Sequence, residues 1–243
     1  RFPQSYTASV FPRQNAQKIG VSRLGYVFLE NAWPRQIMRN NLFINTGTPR
    51  FMETAFLCGL AGTDWTWAIK LADFDNDGFP DLLLGSKPYR NVGGTRFELL
   101  VIGRDTSLKL PQSASQFSVA DFDRDGNIDL YVVGLSEGSP EGQPWIGQAR
   151  GTYHQLWKNR GNWQFEEVAE SSGTRGRGGP TFAAVWFDAN GDGWPDLYFS
   201  QGCPWPVMED VEGGDPRYRD RLFRNAGDGT FVDVTERAGL GDG

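Results

Sequence analysis

Acidic side chains fall into one frame at three places in this chain. The frame is Asp-x-Asp/Asn-x-Asp-Gly-x-x-Asp. It holds Asp73, Asp75, Asp77 and Asp81, then Asp121, Asp123, Asp125 and Asp129, then Asp188, Asn190, Asp192 and Asp196. Alternating positions in a tight loop turn their oxygens toward one centre. Glycine at the sixth position (Gly78, Gly126, Gly193) permits the reversal, because it adopts positive φ without a Cβ clash. The main-chain carbonyl of the seventh residue (Phe79, Asn127, Trp194) adds a neutral oxygen. Hard oxygen donors in this number, on a flexible loop, suit Ca²⁺ better than Mg²⁺ or Zn²⁺, so up to three Ca²⁺ ions are expected. Without a cation, carboxylates this close repel one another. Solvated Asp-Gly turns would explain one copy but not three in the same frame. An EF-hand is excluded by position. It requires a bidentate Glu at the twelfth loop residue, and here that residue is Leu84, Val132 or Phe199.

The elements that carry these loops also repeat. A second motif, centred on Asn-x-Gly in all four of its copies, occurs at 42–51, 88–97, 156–165 and 222–231, with Asn45, Asn91, Asn159 and Asn225 at equivalent positions. It predicts a hairpin turn between apolar residues, since Asn and Gly tolerate the backbone that such turns need. From Asn45 to Asp73 is 28 residues, from Asn91 to Asp121 is 30, and from Asn159 to Asp188 is 29. That near-constant interval is taken to mark a structural unit. The opposite interval varies: 10 residues from Asp81 to Asn91, 30 from Asp129 to Asn159, and 29 from Asp196 to Asn225. Insertions at 135–155 and 201–221 account for the difference. Each acidic loop runs into a short apolar stretch such as Asp129-Leu-Tyr-Val-Val-Gly134, the composition of a buried strand. No capped amphipathic helix of convincing length is present. A period of 46–68 residues with about four strands per unit predicts β-propeller blades. The repeats are expected at 42–85, 88–134 and 156–202. Residues 222–243 open a further blade, and 1–41 are a degenerate end of an earlier one, its loop region near 17–25 having no Asp.

At this point the residues resemble a family. The Asp-rich loop followed by Asp-Leu-aliphatic strands is similar to the FG-GAP/VCBS repeats of integrin-α-type β-propellers. The stretch Leu222-Phe-Arg-Asn-Ala-Gly-Asp-Gly-Thr-Phe through Ala238-Gly-Leu240 is similar to bacterial proteins with an ASPIC/UnbV tail and to cartilage acidic protein-like proteins. The resemblance covers about 40–243. It implies an all-β propeller, usually of seven blades, with Ca²⁺ held in the blade loops. About three and a half to four blades are counted here. Asn190, in place of Asp, is expected to weaken the third site. The remaining blades are expected from sequence outside this chain or from another chain.

Composition narrows the function classes. The 243 residues carry 30 acids against 24 bases, a formal charge of −6. That argues against a nucleic-acid binder, which normally carries a basic face. The loops hold 11 of those acids (four, four and three), and three Ca²⁺ ions would bring the formal total to about zero. No apolar run is long enough for a membrane-spanning helix. The chain starts at Arg1 without Met or a signal h-region, so a processed or partial chain is expected. Two cysteines, Cys58 and Cys203, imply no disulfide framework. A single His excludes multi-His metal sites. The Arg175-Gly-Arg177-Gly-Gly segment reads as a solvated loop, lacking the strand–loop–helix context of a phosphate cradle. In a propeller the two insertions lie on one face, and their Trp145, His154, Trp205 and Tyr218 are candidates for contact with a protein or glycan partner. The expected function is a non-enzymatic adhesion, scaffold or assembly module. The alternative is a carbohydrate-binding module, or a non-catalytic part of a polysaccharide-active hydrolase or lyase. Weak Ca²⁺ sites would stay empty in cytosol, so an extracellular, periplasmic or cell-surface location is expected.

Overall fold

The computed structural model describes residues 41–58, 60, 68–111, 114–134, 154–176, 181–201 and 219–240. The chain divides into two compact units, 1–65 and 66–243. In the first unit, strands β1 (Phe43–Asn45) and β2 (Phe51–Glu53) pair as an antiparallel hairpin. Its turn is the first copy of the Asn-x-Gly motif: Asn45 Oδ1 accepts the Gly47 N–H at 2.9 Å.

The described residues of the second unit form three four-stranded antiparallel sheets, each a simple meander. Sheet 1 is β3 (Ile69–Ala72), β4 (Asp81–Leu84), β5 (Lys87–Val92) and β6 (Arg96–Leu99). Sheet 2 is β7 (Ala114–Ala120), β8 (Asp129–Gly134), β9 (Gln155–Asn159) and β10 (Phe165–Glu167). Sheet 3 is β11 (Thr181–Phe187), β12 (Asp196–Gln201), β13 (Arg221–Asn225) and β14 (Phe231–Asp233). Among the described residues a short helix, α1 (Ala169–Ser172), follows β10 and ends at Gly173 in the left-handed region. First strands of successive sheets lie side by side, β3 against β7 and β7 against β11. This all-β arrangement of four-stranded sheets is that of propeller blades.

The apolar stretch after each of the first two acidic loops is a strand buried on both faces, which explains its unbroken hydrophobicity; in the third, β12, Tyr198 and Ser200 on one face are half-buried. In β8, Leu130 and Val132 enter the core shared by sheets 1 and 2, with Leu83, Phe117, Trp157 and Phe165. Tyr131 and Val133 point the other way, into the core with Leu156, Leu197, Phe199 and Phe223. The period of two thus divides one strand between two cores.

The structure phases the repeat differently from the sequence spacing. The near-constant interval of 28–30 residues, read as the structural unit, runs out of one sheet and into the next. The variable interval lies inside a sheet. The reason is geometric. A crossover must match the distance between neighbouring sheets, and the one from β6 to β7 is pinned to sheet 2. There Thr106 Oγ1 and Ser107 Oγ donate to the carbonyls of Trp163 and Phe165, each at 2.7 Å. The connection between second and third strands need not match any distance between sheets and so tolerates any length. It is Gly85–Ser86 in sheet 1 and the long insertions in sheets 2 and 3. In an antiparallel meander these connections lie at the opposite end from the acidic loops and Asn turns.

Phe74 and Phe122, second in their loops, lock each sheet to the next. Phe74 is fully buried against Trp163 and Phe165, with ring centroids 5.0 and 5.9 Å apart. Phe122 packs on Trp186 and Phe231 at 6.3 and 5.8 Å. The equivalent residue in the third loop is Ala189, which is exposed. Phe122→Ala is expected to cost about 3–5 kcal/mol, the range for a fully buried aromatic. Urea denaturation should show this as a lower midpoint at an unchanged slope.

Candidate metal centre

Each acidic loop joins the first strand of its sheet to the second, and its own carboxylates fold it. The first Asp gathers main-chain donors. Asp73 Oδ1 accepts the Asp77 N–H at 3.1 Å and Oδ2 the Gly78 N–H at 2.9 Å. Asp121 does the same with Asp125 and Gly126, both at 3.0 Å. Asp188 holds the N–H groups of Gly191, Asp192 and Gly193. The fifth Asp caps the seventh residue: Asp77 to Phe79 and Asp125 to Asn127 at 2.9 Å, Asp192 to Trp194 at 2.8 Å. These bonds hold the seventh residue, and with it the expected carbonyl donor, in a fixed turn. The sixth-position glycines have φ of 88°, 89° and 84°, so the reversal does require glycine.

Asp73, Asp75 and Asp81 each place one oxygen within 4.8 Å of the others, and so do Asp121, Asp123 and Asp129. These two clusters have the geometry to hold a metal ion. Both contain an unsatisfied atom: Asp75 Oδ1 and Asp123 Oδ1 are buried without a hydrogen-bond partner. A buried anionic oxygen left bare is costly, and a cation at the centre of the cluster would satisfy it. The donor set, all oxygen and rich in carboxylate, fits a hard divalent ion. The third loop differs. Asn190 turns its amide inward and donates to Asp192 Oδ2 at 2.7 Å.

The ninth Asp has a second role. Asp81, Asp129 and Asp196 are fully buried. In each, Oδ2 accepts the N–H of the loop's second residue: Phe74, Phe122 or Ala189, at 2.9, 3.0 and 2.9 Å. Oδ1 accepts the N–H of the motif asparagine, Asn91, Asn159 or Asn225, at 2.8 Å every time. The asparagine then reaches back one sheet. Asn159 Nδ2 donates to Phe74 O at 2.9 Å, and Asn225 Nδ2 to Phe122 O at 2.8 Å. Burial pushes Asp81 up to about 6 and Asp129 up to about 7, with the two N–H bonds pulling the other way. Asp75 is also raised, first by burial and then by the Asp77 charge. Asp192 is lowered instead, by the Trp194 N–H and the Asn190 amide.

Neighbouring loops touch through their fourth residues. Asn76 Nδ2 donates to Asn127 Oδ1 at 2.9 Å. The Arg124 guanidinium donates to Gly193 O and lies 4.4 Å from the Trp194 ring centroid. Both residues adopt positive φ, 59° and 58°, where the third loop uses Gly191.

The partner candidates fare differently from the metal candidates. Trp145, Trp205 and Tyr218 lie outside the described residues, as does Cys203. His154 is 1% exposed and offers no surface to a partner. It is a structural link between sheets 2 and 3, with Nδ1 2.8 Å from Tyr131 Oη and Nε2 2.7 Å from Thr181 Oγ1. Burial pulls it down to about 4, so it is neutral at pH 7. Sequence reasoning missed Phe74, Phe122 and the backward reach of Asn159 and Asn225. The repetition of Asp-Phe-Asp and Asn-x-Gly at fixed positions was the available signal.

Four-stranded antiparallel sheets, each with an acidic turn between its first two strands and an asparagine turn between its last two, define a repeat protein built from blade-like units. Two stretches, 30–84 and 145–199, match the model of the FG-GAP-like repeat, so the chain carries repeats of that kind. A comparison with curated proteins gives no match.

Two predictions follow from the carboxylate network. Asn225→Ala leaves two carbonyls without a donor, those of Phe122 and Pro195. A loss of about 1–3 kcal/mol is expected in chemical denaturation. The second concerns pH. The folded-state values of Asp81 and Asp129 lie above the ordinary carboxylate value. Their contribution to stability is therefore complete below about pH 4 and lost as pH rises through 6 and 7. In EDTA, the melting temperature should rise as pH falls from about 8 to about 5; a fall over that range would contradict the assignment.

Proposed function

We propose that this chain is part of a Ca²⁺-stabilised β-propeller that serves as a non-enzymatic binding or assembly module outside the cytosol. The observation that carries the metal reading is the pair of bare, buried oxygens, Asp75 Oδ1 and Asp123 Oδ1, each within a convergent carboxylate cluster. Loops 1 and 2 supply the stronger sites, and loop 3, with Asn190, the weakest. The fold class supports a blade role, as does the outer apolar surface of sheet 3, where Val185, Phe187 and Val232 are 50%, 44% and 47% exposed. Such a surface suits the seat of a further blade, from more of this protein or from another chain. Among the described residues no helix is long and apolar enough to cross a membrane.

The ions in this reading are structural. They neutralise loops at one end of the sheets, whereas the insertions leave from the other end. Recognition of a protein or glycan is assigned to those insertions, with Trp145, Trp205 and Tyr218 as contact residues. Separating the two ends lets a rigid, ion-braced rim support variable loops.

Thermal melting in millimolar CaCl₂ against EDTA tests the reading. Ligand linkage predicts a higher melting temperature with Ca²⁺, and Asp123→Asn should remove a large part of the gain. Identical curves with and without Ca²⁺ would end the structural-metal proposal.

A further inference from the structure

A basic residue stands immediately before three of the motif asparagines: Arg90, Lys158 and Arg224. Two of the three reach into the acidic loop of their own sheet. Arg90 Nε lies 2.8 Å from Asp75 Oδ2. Lys158 Nζ bonds Asp123 Oδ2 and lies 3.3 Å from Asp125 Oδ2. These contacts are sheltered, because the Asp75, Asp123 and Lys158 side chains are only 7%, 13% and 17% exposed. Salt screens such pairs less than surface ones. Arg224 is exposed, and in its loop Asn190 replaces the third-position carboxylate.

Loops 1 and 2 each hold four carboxylates, with Arg90 and Lys158 respectively against the third-position one. Loop 3 holds three carboxylates, and the cation bonded to it is Arg124 of loop 2, on Gly193 O. The basic residue before the motif asparagine is engaged where the third-position carboxylate is present.

We propose that Arg90 and Lys158 are built-in counter-ions. They hold loops 1 and 2 together when metal is absent, and they oppose Ca²⁺ when it arrives. This inference rests on reading the loops as Ca²⁺ sites. At Asp123 and Asp75 the two oxygens divide the work: Oδ2 faces the tethered cation, and Oδ1 is buried and bare. An incoming Ca²⁺ shares the carboxylate with a positive charge already there. Repulsion between the two cations lowers affinity, and the tethered cation relieves carboxylate repulsion in the apo loop. Lys158 is the stronger brake, since its compact ammonium touches two carboxylates of the site. The same residues therefore make the apo fold more tolerant of low Ca²⁺ and set the concentration at which the loops load.

The test uses the chain as it stands, with three variants and two readouts: CaCl₂ titration calorimetry and thermal melting in EDTA. Lys158→Met should lower the melting temperature in EDTA and tighten Ca²⁺ binding at one site by at least about threefold, from the strength of such pairs. Lys158→Arg keeps the charge and should stay near wild type in both. Arg224→Met should have a smaller effect on both. If Lys158→Met does not fold in EDTA, Lys158→Gln is used in its place. Unchanged or weaker Ca²⁺ binding by the Lys158 variant overturns the inference, as does an equal effect from Arg224→Met. A wild-type chain that binds no Ca²⁺ overturns the metal reading and this inference together. A wild-type chain that binds Ca²⁺ while Lys158→Met binds it equally well overturns the inference alone.

Discussion

A buried carboxylate in each sheet, Asp81, Asp129 or Asp196, organises the rest of this molecule. Burying an aspartate is costly unless its oxygens are answered. Here each oxygen receives one main-chain N–H, from the acidic loop on one side and the motif asparagine on the other. The bonds close the loop, and they join the turn between the first two strands to the turn between the last two. The remaining lone pairs leave the carboxylate able to face a cation. One residue thus serves the sheet's own rim and the acidic loop, which is why its position in the frame does not vary.

The asparagine extends that constraint from one sheet to the next. Its N–H is bound within its own sheet, and its amide donates to the carbonyl of Phe74 or Phe122 in the preceding one. The ring of the same phenylalanine is buried under the following sheet. Polar and apolar contacts therefore converge on one residue per junction. Contacts from Asn76 and Arg124 run along the rim in the same order, loop 1 to loop 2 to loop 3. The charge of the first two loops is countered locally, by Arg90 and by Lys158.

The frame of acidic residues, the sixth-position glycines and the asparagine turns could be read from the sequence, because each depends on local backbone geometry. The strands after the loops were equally plain: Leu130 to Val133 is apolar throughout, and it is buried on both faces. Phasing was not. A repeat has no intrinsic start, and the constant interval proved to be the crossover between sheets, since crossover length is set by packing and loop length is not. His154 was misplaced for a related reason. It lies at the edge of a surface insertion in sequence, yet the fold turns it inward between Tyr131 and Thr181.

By itself the sequence determined the chemistry of the loops and the kind of strand that follows them, since residue type and spacing over nine positions suffice for both. Only the tertiary structure decided which oxygens are free for a cation and which are spent on the backbone. It also decided that Phe74, Phe122 and the asparagines join sheets, that Arg90 and Lys158 enter the clusters, and that insertions and acidic loops lie at opposite ends. Those facts depend on residues up to 103 positions apart, as between Asn225 and Phe122. No local pattern specifies such a contact; it exists only once the strands are paired and the sheets are packed.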